Sequence, residues 1–192
     1  NAGSALGANG GAGMAMLVTH ISAATASLVW MFIEWIRFGK PSLVGIVTGM
    51  VAGLATITPA SGFIGVPGGL ILGLSGGIIC YFSVDLIRSK LKIDDSLDVF
   101  AVHGVGGILG TLMVSFLALE TFSGAGLADD MSVNSQFLAQ LFGVVLTVVW
   151  TLIFTYVALK ITSLFTSLRV DEQEEIEGLD LRSHGERAYY ND

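Results

Sequence analysis

Four long stretches of this chain contain no Asp, Glu, Lys or Arg: residues 11–33, 41–84, 99–119 and 131–159. A helix needs about 20 apolar residues to cross the roughly 30 Å hydrocarbon layer of a bilayer. Three of the stretches supply one crossing each. The longest has room for two, because Thr58-Pro59-Ala60-Ser61-Gly62 and Pro67-Gly68-Gly69 punctuate its middle. Composition agrees: 53% of residues are hydrophobic and 13% charged, with a mean hydropathy of +0.75. That is too little charge to cover a soluble domain of 192 residues. The sequence therefore predicts an all-α, polytopic membrane protein with five transmembrane helices, over about 12–36, 42–58, 63–88, 97–119 and 134–165.

Around this 12–168 transmembrane domain, residues 1–11 read as an outer loop of small residues and 169–192 as a polar cytoplasmic tail. The last charge-free run, residues 131–159, would extend about 43 Å as a helix, so that span should tilt or project from the bilayer.

The basic residues set the orientation. All 9 fall in three places: Arg37 and Lys40; Arg88, Lys90 and Lys92; and Lys160, Arg169, Arg182 and Arg187. These follow spans one, three and five, whereas the segments after spans two and four carry only Glu120, Asp129 and Asp130. By the positive-inside rule the N-terminus is outside and the tail cytoplasmic. The net charge of −7 comes mostly from the tail and says little about partners. Cys80, alone inside span three, permits no intrachain disulfide and reads as a small core residue. No basic, cleavable signal opens the chain. Asn1 follows no methionine, and an odd number of spans starting outside points to helices upstream; the chain reads as an internal piece of something longer.

Glycines recur every fourth residue at Gly45, Gly49 and Gly53, at Gly69, Gly73 and Gly77, and at Gly106 and Gly110. Lipid gives helices no hydrophobic reason to pair, so such small-residue stripes serve close backbone approach in a tight bundle.

His103, in "DVFAVHGVGG", is the residue most at odds with its surroundings. Two readings are open from the residues alone: a core histidine bonded to a neighbouring helix, or a group facing a cavity or pathway, where intramembrane ionisable residues usually lie. Burial disfavours the imidazolium, so the ring should be neutral, with one donor and one acceptor nitrogen. A metal suits it poorly, since no second ligand lies at i+3 or i+4. His20, beside Thr19 and Ser22, reads as a local interhelical hydrogen bond, and nothing marks His184. Asp94, Asp95 and Asp98 sit before span four as helix-start caps. Glu34, Trp35 and Arg37 read as an interface anchor, and Trp30 and Trp150 as packing or lipid-facing groups. The acidic tail is punctuated like an ordered element at Gly178-Leu179-Asp180 and His184-Gly185-Glu186, and would dock on the loops around Lys40 and Lys90.

Five stretches together carry a likeness: "NAGSA" at the start, "GKPS" at 39–42, "TPASGFIGVPGG" at 58–69, "DDSLDVFAVHGVGG" into span four, and "EGLDLRSHGERAY" in the tail. Over essentially the whole chain the sequence resembles the ammonium transporter family (Amt/Mep/Rh), its bacterial Amt branch closely. The resemblance implies the last five helices of an eleven-helix, inverted-repeat transporter fold, without the first of the family's paired histidines. It makes His103 the second pore histidine and Ser4 the hydroxyl of the outer ammonium recruitment site. Asp95 becomes a structural aspartate at the start of the histidine-bearing helix. Val99, Thr48 and Val51 line the pore and inner vestibule, and Lys40, Gly178 and Asp180 belong to a regulatory cytoplasmic element. It further implies ammonium or ammonia as substrate with methylammonium as analogue, a homotrimer in the cytoplasmic (inner) membrane bilayer, and a PII-type signal protein as regulatory partner. Neither enzymatic activity, a cofactor nor a nucleic-acid partner is implied.

Ammonium is nearly the size of potassium, so radius cannot separate them. An intact charge at mid-bilayer costs roughly 2.5–3.5 kcal/mol on translocon scales. Ammonium can avoid that cost by leaving a proton outside and crossing as ammonia beside neutral imidazoles; potassium has no proton to leave. The competing reading is an ammonium sensor whose output is the tail. An unrelated small-solute channel would require the motif matches to be accidental.

Overall fold

The computed structural model describes residues 1–186, so the end of the tail motif, from Arg187 on, lies outside the described residues. Every regular element among them is helical. The chain divides into two compact units, Asn1–Val144 and Val145–Asp192.

The first unit is built on four helices whose ends are written in the sequence. Helix α1 (Gly10–Phe38) starts where the Asn9 side chain accepts from Ala12 N at 3.2 Å, and stops at Gly39, which takes φ +76°. The left-handed region is open to glycine without a Cβ clash, so the helix ends there. Helix α2 (Leu43–Ile57) starts at Ser42, whose hydroxyl accepts from Gly45 N at 2.9 Å. The Pro59 turn closes it after 15 residues. Helix α3 (Val66–Val84) carries Pro67 in its first turn and runs on as a π-helical segment, Asp85–Lys90. Helix α4 (Val105–Leu117) is entered through a second π-helical segment, Val99–Gly104.

By length and composition, Gly10–Phe38, Val66–Lys90, Val99–Leu117 and Val133–Thr162 can each cross a membrane, while α2 is a shorter apolar helix. Residues 58–63, which contain the Pro59-Ala60-Ser61-Gly62 punctuation, form the turn that follows it.

Close approach holds α1, α2 and α3 together. Ser22 Oγ on α1 donates to the Gly53 carbonyl on α2 at 2.9 Å. On α3, a Cβ added to Gly73 would stand 2.6 Å from the carbonyl oxygen of the same Ser22, closer than any real Cβ approaches backbone. The glycine stripes are thus contact surfaces at which a side chain would force helices apart. Two apolar clusters fill the rest. One gathers Val18, Ile57, Ile64, Leu72, Val114 and Leu117; the other gathers Trp30, Ala52, Cys80, Tyr81 and Val102. Trp30 packs edge-on against Tyr81 with centroids 5.0 Å apart, which makes it a core residue. Cys80 is fully buried, its thiol 3.7 Å from the Val102 carbonyl.

Helix α5 (Val133–Thr162) has no buried residue. A helix apolar on all sides needs an apolar medium around it, and a bilayer supplies one. In the second unit Trp150 is exposed and stacks on Phe154 at 4.0 Å. The unit continues into helix α6 (Glu172–Glu177) and a π turn, Asp180–His184.

Candidate functional site

The segment carrying His103 leads into α4. Among the described residues the chain from Val99 to Gly104 winds as a π-helix, a form that is rare and clusters at functional sites. Asp95 holds its beginning. Its Oδ1 accepts from Val99 N at 2.8 Å, and Oδ2 from Phe100 N at 3.0 Å and Ala101 N at 3.1 Å. One carboxylate thus satisfies three backbone donors that a helix start leaves without partners.

The π turn decides which way its side chains face. Ala101 and Val102 are buried in the bundle, whereas His103 and Val99 are exposed on its surface. His103 makes no hydrogen bond among the described residues. Of the two readings open from the sequence, a core histidine bonded within this unit does not hold. His20 corrects an expectation in the same way. It is exposed, without the interhelical bond expected for it, and its neighbour Thr19 donates to Ala15 O at 2.6 Å and accepts from Asn1 Nδ2 at 2.9 Å.

The three aspartates before α4 also part company. Asp94 accepts from Ser96 Oγ at 2.8 Å, while Asp95 gathers the helix-start donors. Asp98 stands at the helix start in the left-handed region, φ +54° and ψ +31°, and its side chain caps nothing. Its Oδ1 is buried and takes no hydrogen bond, although Arg88 Nη1 forms an ion pair with it at 3.5 Å. Burial is the main influence on this carboxyl and pushes its pKa up, Arg88 offsets part of that, and Asp95 adds to it; the net shift is upward.

Asp98 and Arg88 line a cavity of about 400 Å³ at the basic end of the bundle, together with Thr48, Arg37 and Asp85. The Thr48 hydroxyl donates to Val44 O at 2.9 Å, and Val51, one turn deeper, packs half-buried against the Trp30 cluster. Two of the residues expected to anchor an interface, Glu34 and Arg37, also join helices. Glu34 accepts from Ser42 N at 2.7 Å, and Arg37 pairs with Asp85 at 3.4 Å while its guanidinium lies over the Tyr81 ring at 5.5 Å. Lys40 is exposed in the turn between α1 and α2.

At the opposite end, Ser4 lines a second cavity of about 410 Å³ with Asn1, Asn9, Thr58, Pro59 and Phe63. Ser4 sits in a 3-10 turn, Gly3–Ala5, at the mouth of α1. The sequence singled out Ser4 but not the asparagines that accompany it. It took Asp98 for a helix-start cap, and the left-handed backbone that leaves its side chain capping nothing is not announced by any residue pattern.

In the second unit Gly178 ends α6 at φ +91° and ψ +133°, with its N–H on Glu174 O at 3.0 Å. The Asp180 carbonyl accepts from Glu186 N at 3.1 Å, and Arg182 bridges Glu174 and Glu177, each at 3.7 Å. Among the described residues no three His, Cys, Asp or Glu side chains gather as a metal site.

Long apolar helices, packed through glycine and exposing a histidine from a charge-free span, define a multi-pass helical membrane protein. The profile of the Ammonium Transporter Family matches residues 1–189, and the chain belongs to that family, whose members are transporters rather than enzymes. It is similar to ammonium transporter Amt1 of Archaeoglobus fulgidus, 48% identical over 191 residues, covering 98% of this chain and 48% of that protein. To an ammonium transporter of Aquifex aeolicus it is 45% identical over 190 residues, covering 98% and 44%. Among solved structures it resembles a sensor Amt protein, with a TM-score of 0.84 at 30% identity over 95% of this chain and 44% of that one. Mep2 of Saccharomyces cerevisiae superposes with a TM-score of 0.75 at 32% identity, covering 86% and 40%. The chain thus spans about half the length of the relatives it matches.

Proposed function

We propose that this chain is part of a transporter that moves ammonium across the cytoplasmic membrane, and that His103 lines its pore. The observation carrying this reading is the exposure of His103 from a π turn inside a charge-free helix, in a chain of the ammonium transporter family. A ring turned out of its own unit needs other residues to face it. The family's relatives have roughly twice this chain's length, enough for a facing half and a paired histidine.

In this reading ammonium is recruited at the outer cavity by the Ser4 hydroxyl. It gives up a proton there and passes His103 as ammonia, then recovers a proton in the inner cavity lined by Thr48, with Val99 and Val51 nearby. The neutral imidazole accepts from and donates to ammonia, so selection rests on the ability of the substrate to deprotonate. Asp95 keeps the histidine-bearing turn in place. Lys40, Gly178 and Asp180 belong to a cytoplasmic regulatory element that answers to a PII-type protein in a homotrimer. The distribution of Lys and Arg supports an outer N-terminus and a cytoplasmic tail.

The test is the current evoked by an ammonium pulse on proteoliposomes holding the intact protein, with and without His103→Ala. A current absent with potassium and lost in the variant supports the reading. A wild type that passes neither charge nor ammonia, read by internal pH, ends it. The similarity to a sensor Amt protein favours one second reading, an ammonium sensor acting through the tail. Signalling that survives a transport-dead His103 variant would select it.

A further inference from the structure

The end of the bundle that carries Ser4 has a further cavity, of about 200 Å³, which shares Pro59 and Phe63 with the Ser4 cavity and none of its polar residues. Val114 and Leu127 complete its apolar wall, and Gln136 and Gln140, one turn apart on α5, supply the polar one. Both glutamines are half-buried, and neither carboxamide makes a hydrogen bond among the described residues. The frame around them is fixed. Ala125 N donates to the Phe63 carbonyl at 2.9 Å and Gly126 N to the Ala118 carbonyl at 2.8 Å, which pins the loop over the cavity. Phe137 packs on Phe116 with centroids 5.7 Å apart, which holds the first turns of α5 to α4. No charged side chain lines the cavity, but its rim is acidic. A Cβ on the lining residue Gly126 would stand 3.9 Å from Glu120 Oε1, and Asp129 follows the lining residue Ala128. The sequence has no Lys or Arg between Lys92 and Lys160 to offset these acids.

We propose that this cavity is a lipid site for an aminophospholipid such as phosphatidylethanolamine, whose phosphate and ester oxygens accept from the Gln136 and Gln140 amides while its ammonium turns to Glu120. The volume argues for part of a molecule rather than a whole one. Pockets that enclose a complete small ligand run to roughly 300–1,000 Å³, so the remainder of this occupant lies outside. The exposed side chains of Leu138, Leu141 and Phe142 on the same turns of α5 give acyl chains an apolar surface beside it. The carboxamides set the polar chemistry: each NH2 offers two donors, which suits phosphate and ester oxygens. The charges set the headgroup. A phosphate beside Glu120 and Asp129 with no protein cation near is disfavoured unless the lipid brings its own, and an ammonium with N–H donors does so on the acidic side.

The test titrates the intact, delipidated protein in detergent with short-chain phosphatidylethanolamine, phosphatidylcholine and phosphatidylglycerol, and reads the first lipid bound per chain by native mass spectrometry. Phosphatidylethanolamine should bind several-fold more tightly than either of the others. Gln136→Leu with Gln140→Leu should weaken it about tenfold, the effect of losing two neutral hydrogen bonds. Glu120→Gln should weaken phosphatidylethanolamine and strengthen phosphatidylglycerol, opposite shifts that general damage to the fold does not produce. Glu120 is exposed, so this variant keeps its fold even where the double glutamine variant does not. Phosphatidylglycerol bound as tightly as phosphatidylethanolamine by the wild type would overturn the proposal. So would unchanged binding in the glutamine variant, or shifts of the same sign for both lipids with Glu120→Gln.

Discussion

Ser22 on α1 donates its hydroxyl proton to the carbonyl of Gly53 on α2 at 2.9 Å, and both groups are buried. The same serine's backbone faces Gly73 of α3, so one turn of α1 fixes the spacing of two neighbouring helices. Ser22→Ala removes the bond and leaves a carbonyl that still has its intrahelical partner; the expected loss is about 1 kcal/mol. Gly73→Val should cost more, on the order of 2–3 kcal/mol, because its side chain would meet backbone that has nowhere to move. Thermal unfolding of the detergent-solubilised protein checks the order of the two.

Asp95 supplies acceptors to three backbone N–H groups at the start of the histidine-bearing segment. Asp95→Ala should lower stability by about 2 kcal/mol. It should also reduce ammonium flux more than that loss explains, since the turn that presents His103 loses its anchor. Asp95→Asn, keeping one acceptor oxygen, should fall between. Parallel measurements of unfolding and flux in the intact protein separate these effects.

His103 makes no hydrogen bond among the described residues and is exposed on its own unit. His103→Ala should therefore abolish transport while changing the stability of this bundle by no more than about 0.5 kcal/mol. A large fall in the unfolding temperature would contradict the exposed position.

Asp98 titrates above the ordinary aspartate value, chiefly through burial. The folded protein thus holds this proton more tightly than the unfolded chain does. In the window from the ordinary value, about 3.9, up to the raised one, stability falls as pH rises. The charged form remains the less favourable one above that window. Asp98→Asn does not titrate, so the difference in unfolding temperature between wild type and variant should shift in favour of the variant as pH increases through that range. A difference that does not change with pH would refute the assignment.

Gly178 takes φ +91° and ψ +133°, a conformation that a Cβ makes costly. Gly178→Ala should strain the junction between α6 and the Asp180–His184 turn by roughly 1–3 kcal/mol. Faster amide exchange over residues 172–185 in the variant is the expected signature, with the membrane helices unaffected.

Burial and hydrogen bonding explain how much of this could be read in advance. A charge-free run long enough to span a bilayer needs no tertiary information, because each residue contributes to hydropathy independently of its neighbours. The helix ends at Asn9, Gly39 and Ser42 likewise follow from local rules, since a capping side chain reaches only its own first turn. Ser4 and His103 stood out for the same reason, by residue type against background.

Other features are relations between distant parts of the chain. Glu34 and Ser42, Arg37 and Asp85, and Arg88 and Asp98 meet only when the helices pack. The π turn that exposes His103 while burying Val102, and the left-handed backbone at Asp98, are local distortions sustained by their surroundings. Sequence alone determined the medium, the class of fold and the family, because hydrophobicity and motif spacing are properties of the linear chain. Which side of a helix faces the core, and which carboxylate oxygen is buried without a hydrogen bond, were decided by the tertiary structure, because both depend on what the other helices bring within a few ångströms.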